Sequence, residues 1–421
     1  MDMYNCSDMR KIKFTFNYIL KFFKWMALAS LTGILGGLIG TLFHFIVEKV
    51  TNIRTENSWL IYLLPVGGLA IILICRLFKI DSETGTSSIM KALREDKKIP
   101  VAIGPVIFLG TAITHLFGGS AGREGAALQL GGSIGTVVGR TFKLDSKDMH
   151  IIILCGMSSV FAALFGTPLT AAIFALEVVN AGVLFYSALI PTVVSSLVAT
   201  RISALFNISP IKFNMQIPDI SFASVGEVLL IAAICAGISI LFCITIGYSK
   251  KFMKTFIKND YIRIFAGGTL LLLLTIVIRT TDYNGAGMDI IERALSGEAR
   301  PEAFILKLIF TTITIAAGFR GGEIVPAFFI GSTLGAAIGS FLGVDPGFAA
   351  ALGLVTLFCG IVNCPITSIC LSIELFGSEG LMLFALACAV SYVLSGSFSI
   401  YSEHKLILPK IKDELTNQKD S

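Results

Sequence analysis

The sequence predicts an all-α polytopic membrane protein made of two related halves, each built from short, tilted and broken helices. Three observations predict it: an apolar composition, a succession of uncharged runs, and an internal repeat. Of the 421 residues, 54% are hydrophobic and only 14% are charged, with a mean hydropathy of +0.82. A soluble domain is about half apolar but about one quarter charged, so this composition places most of the chain in a lipid bilayer.

Uncharged runs mark the expected membrane helices in order along the chain. They are residues 26–47, 58–75, 100–117, 151–175, 178–200, 228–249, 264–278, 324–344, 346–373 and 380–402. Several reach the roughly 20 residues that a membrane-spanning helix needs. The shorter runs match the half-spans and broken helices of transporters.

Basic residues at both ends of the chain predict its orientation. Residues 1–25 combine lysines, an arginine and aromatic side chains, which suits a cytoplasmic, basic amphipathic helix at the membrane interface. The tail at residues 403–421 carries Lys405, Lys410 and Lys412, so we expect a cytoplasmic tail and both termini on the cytoplasmic side of the cell membrane. The net charge of +5 therefore indicates membrane topology and not nucleic acid binding.

An internal repeat relates the two halves. Pro168–Glu177 reads PLTAAIFALE, and residues 365–374 read PITSICLSIE, with proline, threonine and glutamate at the same places. Glu124 precedes a Gly-Ser pair as Glu323 does. Matched blocks in one order predict two repeats, and glycine-broken segments at corresponding positions are typical of a transporter or channel with a site near the bilayer midplane. The predicted repeats are residues 26–206 and 220–402.

The stretch GGSAGREG, residues 118–125, precedes a helix too short to cross the membrane from its surface. That apolar segment, residues 124–139, has 16 residues, which as a helix is about 24 Å against a hydrocarbon core of about 30 Å. Its N-terminus is therefore expected inside the membrane, where unpaired N–H groups and the helix dipole attract anions. Glu323 opens the matching helix of the second half, so two positive helix ends are expected to converge on an anion.

Glu124 is the expected gate of that site. Ionised, its carboxylate competes with the anion for the helix ends; protonated, it moves aside and couples anion movement to protons. The alternative is that Glu124 pairs with Arg123 or caps its own helix. An intramembrane carboxylate is by default a functional residue, and this favours the gate.

These residues carry a resemblance to a known family. The stretch 118–125 resembles the GREG signature of the CLC family of chloride channels and anion/proton antiporters. Residues 322–326 resemble that family's G-x-F-x-P block, and residues 399–402 resemble its late tyrosine block. The resemblance implies CLC-type repeats of inverted topology and a homodimer with one anion pathway per subunit. It also implies inorganic anions and protons as partners, lipid around the subunits, Glu124 as the gating glutamate and Tyr401 as an anion ligand.

The helix-end argument and the resemblance together give the candidate site. The candidate anion-binding residues are Thr84, Gly85, Gly122, Arg123, Gly125, Glu323, Ile324, Val325, Phe329 and Tyr401.

Departures from the family pattern leave open which anion is transported and whether its transport is coupled to protons. The serine of the family's first anion block falls on Thr84, and Val178 stands at the inner proton-transfer position. Glu323 and Phe329 resemble the fluoride-exporting branch, whereas the methionine which that branch carries at the position of Thr84 is missing. Chloride or fluoride, and antiport or a passive voltage- or pH-gated chloride channel, remain alternatives. The short tail after Tyr401 predicts a bacterial type without cytoplasmic CBS domains.

A remote alternative is an intramembrane serine hydrolase, because residues 118–122 also satisfy G-x-S-x-G. That motif needs a strand-turn-helix context and a histidine base. His44 and His115, both within apolar runs, are instead expected to be hydrogen-bonded packing residues. The cysteines lack metal-ligand spacing, and nothing in the sequence suggests an organic cofactor or a metal.

Overall fold

The computed structural model describes residues 2–82, 84–95, 97–179, 184–401 and 410, with side chains from residue 19 onward. Apart from Lys410, the predicted tail at 403–421 lies outside the described residues. Within them the chain forms sixteen α-helices and two short 3-10 segments, without a strand. The predicted all-α class is confirmed.

The helices follow one another with short connections. Their bounds are α1 Asp2–Glu56, α2 Leu64–Leu77, α3 Thr86–Arg94, α4 Ile103–Phe117, α5 Glu124–Thr141, α6 Ser146–Phe165, α7 Pro168–Glu177, α8 Leu189–Leu205, α9 Phe222–Phe256, α10 Asp260–Ile278, α11 Met288–Leu295, α12 Ala303–Ala317, α13 Ile324–Leu342, α14 Pro346–Val362, α15 Pro365–Phe376 and α16 Leu381–Leu394. The 3-10 segments are Ser58–Leu63 and Tyr186–Ala188. Seven helices of the described part are long and apolar enough to cross a membrane, so the protein is a multi-pass membrane protein.

Eight helices lie in each half, and the helices of the two halves correspond in order. Thus α5 packs against α6 as α13 packs against α14. Glycines allow both contacts: a Cβ on Gly131 would lie 2.2 Å from the Gly156 oxygen, and one on Gly331 would lie 2.3 Å from the Gly353 oxygen. No side chain fits in such a gap, so each pair of helix backbones meets directly.

A reciprocal clasp between α7 and α15 shows that the halves are inverted. Glu177 at the end of α7 accepts hydrogen bonds from the N–H groups of Ile366 (3.2 Å) and Thr367 (2.8 Å) at the start of α15. Glu374 near the end of α15 accepts from the N–H groups of Leu169 (2.9 Å) and Thr170 (2.8 Å) at the start of α7. Each carboxylate satisfies donors that a helix start leaves unpaired. The two matching helices are therefore antiparallel.

The first helix is longer than the sequence predicts. The boundary expected at residue 25 is absent, because α1 runs unbroken for 55 residues, or about 82 Å. Among the residues whose side chains are described, the part of α1 that could span a membrane is Ile19–Glu56, or 38 residues.

Helix α12 is missing from the uncharged runs that the sequence analysis used, because it contains a lysine that is buried in the folded chain. Lys307 lies in α12 and is 0% exposed. Its ammonium group donates to the backbone oxygens of Tyr283 (3.2 Å) and Gly285 (2.7 Å), and it lies 5.0 Å from the ring centre of Phe329. These contacts replace water around the charge, so α12 remains inside the protein.

Candidate anion-binding site

Two glycine loops lead into the candidate site, one from each half. Helix α4 ends at Gly118 (φ 87°) and α12 ends at Gly318 (φ 105°), both in the left-handed conformation. This conformation is routine for glycine and strained for other residues. The chain can therefore stop each helix inside the fold and begin the next one, α5 or α13, a few residues later.

The two loops are joined at their centres. The Gly122 N–H donates to the Gly322 oxygen and the Gly322 N–H donates to the Gly122 oxygen, both at 2.8 Å. A Cβ on Gly322 would lie 2.4 Å from the backbone nitrogen of Gly125. The glycines thus allow the N-termini of α5 and α13 to converge, as the repeat predicts.

The Glu124 carboxylate lies between these helix starts. Glu124 is 0% exposed, and its Oε2 accepts a hydrogen bond from the Arg123 backbone N–H at 2.9 Å. A Cβ on Gly122 would lie 2.4 Å from this Oε2 and 3.0 Å from Cβ of Val325, in the first turn of α13. The Arg123 side chain approaches from one side, with Nε 3.9 Å from Oε1. A negative group therefore already occupies the place predicted for the anion, and the pairing with Arg123 is also present.

A polar cavity of about 660 Å³ reaches the site from one side of the fold. Four predicted residues line it, namely Thr84, Gly85, Glu323 and Tyr401. The other lining residues include Thr86, Gln129, Lys91, Lys250, Lys251, Lys254 and Arg320. The cavity is thus rich in cationic groups, which raise the local concentration of anions.

The remaining predicted residues lie behind the cavity wall. Gly122, Arg123 and Gly125 belong to the joined loop and the start of α5, and Ile324 and Val325 form the buried first turn of α13.

Phe329 lies further along α13 and packs against a different part of the protein. Its ring contacts Tyr283 (6.3 Å between ring centres) and the Lys307 ammonium group. A Cβ on Gly287 would lie 2.7 Å from the ring. Phe329 therefore supports the loop before α11, and its ring does not line the cavity.

Glu323 is exposed to the cavity and paired with a lysine. Its Oε1 lies 3.3 Å from Nζ of Lys250 on α9, with 12% of the glutamate side chain exposed. The nearby Arg320 donates to the backbone oxygens of Thr84 and Asp81. Arg320 therefore fixes the segment before α3, and Lys250 holds Glu323.

Thr86 is a site residue that sequence reasoning missed. Its hydroxyl donates to the Gly125 oxygen (3.1 Å) and accepts from the Gln129 amide (3.1 Å), so it contacts the first turn of α5. Thr84 points its backbone oxygen to Arg320. One feature of the sequence could have indicated Thr86: it directly follows Gly85. The sequence analysis did not predict that α3 begins there.

Tyr401 follows the last helix and is nearly fully buried. The neighbouring Ile400 N–H donates to the Ile361 oxygen at 3.0 Å, which fixes the backbone before the tyrosine. Tyr401 and Glu323 line the same cavity. Tyr401 thus lies on the cavity side of the candidate site.

The surroundings of Ser120 differ from those of a hydrolase nucleophile. Its hydroxyl lies 3.0 Å from the Thr311 hydroxyl, in a loop between two helices. His115 is buried near the end of α4. Among the described residues, no group of three or more His, Cys, Asp or Glu side chains is placed to hold a metal ion.

Two converging helix starts, an intramembrane carboxylate and a basic cavity define a membrane protein with an anion pathway. Comparison with protein families identifies it further: residues 67–396 match the family described as "Voltage gated chloride channel". The chain belongs to this family, the CLC family. The resemblance seen in the sequence is thereby confirmed.

Individual relatives match over most of the chain. A protein of Pseudomonas syringae pv. tomato named "Chloride/fluoride channel protein" is 34% identical, with 91% of this chain and 86% of that protein covered. The "H(+)/Cl(-) exchange transporter ClcA" of Vibrio campbellii is 27% identical over 94% of this chain and 92% of its own length. A crystal structure of a CLC-type fluoride/proton antiporter superposes with a TM-score of 0.89 at 31% identity, covering 92% of this chain and 99% of the other.

Proposed function

We propose that this protein exchanges a halide, chloride or fluoride, for protons across the cell membrane. The observation that carries the proposal is the Glu124 carboxylate, buried between the starts of α5 and α13 and bonded to a backbone N–H there. A group that occupies an anion site by its own charge leaves when it is protonated. Binding of a proton to Glu124 is then what gives an anion access to the site, so the two are coupled.

The basic cavity supplies the anion. Lys251 and Lys254 lie at its wall beside the Lys250–Glu323 pair. An incoming halide is attracted by these cations and competes with Glu323 for Lys250. It then reaches Tyr401, whose hydroxyl group can donate a hydrogen bond to it. The Thr86 hydroxyl can donate to the anion only after it releases the Gly125 oxygen.

Glu323 is proposed to tune the site towards fluoride. Protonated, its carboxyl group can donate a hydrogen bond, and fluoride is a stronger hydrogen-bond acceptor than chloride. The relatives named for fluoride support this choice, and so does the position of Glu323 at the cavity wall. In the competing assignment, backbone amides and Tyr401 bind chloride. Glu323 then takes no part in anion binding and only caps its helix.

The inner proton route is proposed to avoid Glu177. That carboxylate already accepts three hydrogen bonds from Ile366 and Thr367 at the start of α15. The next residue, Val178, is apolar. Glu323 is a carboxylate of the described residues that lines the cavity, and we assign proton exchange on that side to it.

The cavity is proposed to open to the cytoplasm, with both termini on the same side. Lys250, Lys251 and Lys254 at its wall agree with the excess of positive charge in cytoplasmic segments.

A homodimer is also proposed, as the family resemblance implies, with a face formed by the late helices of each half. Nearly all of α14 is buried inside the subunit, so α14 contributes little to that face. Exposed apolar side chains of α8 and α16, among them Ile190, Leu197, Met382 and Leu394, remain available. Mass photometry in detergent tests this, and monomers alone would exclude it.

The test of the function uses liposomes that contain the purified protein. Efflux of potassium chloride and of potassium fluoride is recorded with ion-selective electrodes while a pH electrode follows protons. Exchange predicts that anion efflux drives proton uptake in a fixed ratio for at least one of the two anions. Anion flux without any proton movement would instead identify a passive channel.

A further inference from the structure

A chain of polar side chains leads from the gate to α1. On one side, Arg123 approaches the Glu124 carboxylate, with Nε 3.9 Å from Oε1. On the other side, its Nη1 lies 3.0 Å from Nδ1 of His44. The second ring nitrogen of His44, Nε2, lies 3.5 Å from Oε2 of Glu48, one helical turn further along α1. Glu48 is 54% exposed, so the chain ends at the protein surface.

The distances define the hydrogen-bonding roles of His44. An arginine donates and never accepts, so Nδ1 must be the acceptor in this contact. The remaining ring proton is then on Nε2, which faces the Glu48 carboxylate. Helices α4, α5, α6 and α8 pack against α1. Within the described part of the chain, the charged groups that face His44 are Glu48 on α1 and Arg123 at the start of α5.

We propose that His44 is a positioning residue that holds Arg123 away from the Glu124 carboxylate. The inference rests on the proposed gating role of Glu124. Without the His44 acceptor, the guanidinium loses a partner inside the protein and moves to the nearest negative group, which is Glu124. A closer cation stabilises an ionised carboxylate, so the gate then requires a lower pH to take up its proton.

A protonated His44 has the same effect as a missing one. Its Nδ1 then carries a proton, and the ring and Arg123 become two cations in contact. Arg123 is displaced towards Glu124. Glu48 opposes this charge only from the far side of the ring. The position of Arg123 proposed here therefore requires a neutral His44, whose Nδ1 accepts from the guanidinium.

The experiment compares pH profiles of potassium fluoride and potassium chloride efflux from liposomes at equal pH on both sides. His44→Ala is expected to shift the pH of half-maximal efflux downwards by about one unit, the size of a close opposite charge. His44→Asn keeps an acceptor towards Arg123 and cannot be protonated, so its half-maximal pH stays near that of the parent. Efflux in Glu124→Gln is expected to be independent of pH, and adding His44→Ala to that variant should restore no pH dependence.

The outcomes separate this inference from the proposed function. An unchanged half-maximal pH in His44→Ala, or an equal loss of rate in both backgrounds, overturns the positioning role while gating by Glu124 stands. Proton dependence that survives Glu124→Gln overturns both. Should His44→Ala not fold, Glu48→Ala tests the same chain from the surface. Loss of the Glu48 carboxylate frees His44, so a smaller shift in the same direction is expected, and its absence contradicts the inference.

Discussion

Glu124 and Glu323 stand at matching places in the two repeats, and their surroundings are different. Glu124 is 0% exposed and accepts a backbone hydrogen bond at its own helix start. Glu323 lines a cavity of about 660 Å³ and pairs with Lys250 at 3.3 Å. The repeat supplies two converging helix starts, and the rest of the chain buries the carboxylate at one of them and places the carboxylate at the other on a cavity wall.

The clasp between α7 and α15 shows the opposite behaviour. There each half contributes one glutamate and one helix start, and both carboxylates accept two backbone hydrogen bonds. The inverted repeat is thus kept where it joins the halves and altered at the candidate anion site. Unequal effects are expected at the gate, and similar effects at the clasp.

Gly322→Ala is expected to have the largest effect, because it breaks the joint on which both glutamates depend. The new Cβ would lie 2.4 Å from the backbone nitrogen of Gly125, which belongs to α5 and cannot move without the helix start. At least a tenfold loss of halide efflux is expected in liposomes. Gly237→Ala is the matched control, because nothing lies within 4 Å of its Cβ. Equal efflux in the two variants would show that the helix starts tolerate separation.

Glu323→Ala sharpens the comparison of the two carboxylates. Removing the proton donor at the cavity wall is expected to reduce fluoride efflux much more than chloride efflux, by several-fold in their ratio. Lys251→Ala, at the same wall but outside the Glu323 pair, is the control and should change both anions alike. Equal losses in Glu323→Ala, or a parent that does not transport fluoride, would leave a chloride transporter with a glutamate cap.

Glu177→Gln and Glu374→Gln test the symmetric region and should have the smallest effects. Each change weakens charge-assisted hydrogen bonds to a helix start, at a cost of about 1–3 kcal/mol in the free energy of unfolding. Glu177→Gln should cost slightly more, since Glu177 also accepts from the Thr367 hydroxyl at 2.6 Å. Thermal unfolding in detergent measures both. A loss of stability in one variant alone would contradict a reciprocal clasp.

The sequence predicted the repeats and the convergence of the helix starts because both are local patterns. The matched Pro-Thr-Glu blocks became α7 and α15, and the apolar run from Glu124 became α5. It failed where a charge is compensated by distant residues. The charge of Lys307 kept α12 out of the predicted uncharged runs. Its ammonium group is held by backbone oxygens from the loop before α11, which the local sequence around Lys307 does not reveal.

Distant contacts also decided the fine details of the candidate site. Nothing near Glu323 in the sequence indicates Lys250, which comes from the end of α9. His44 was predicted to be a packing residue, and only the folded chain brings it to 3.0 Å from Arg123.

The central claim is that Glu124 alternates with an anion by gaining and losing a proton. Its most direct test is Glu124→Gln in liposomes, with efflux of potassium chloride and potassium fluoride recorded together with proton movement over a range of pH. The neutral amide cannot regain a charge, so anion efflux is expected to persist or increase and to become independent of pH, while proton movement ceases. Proton movement that remains coupled to anion efflux in this variant would contradict the account.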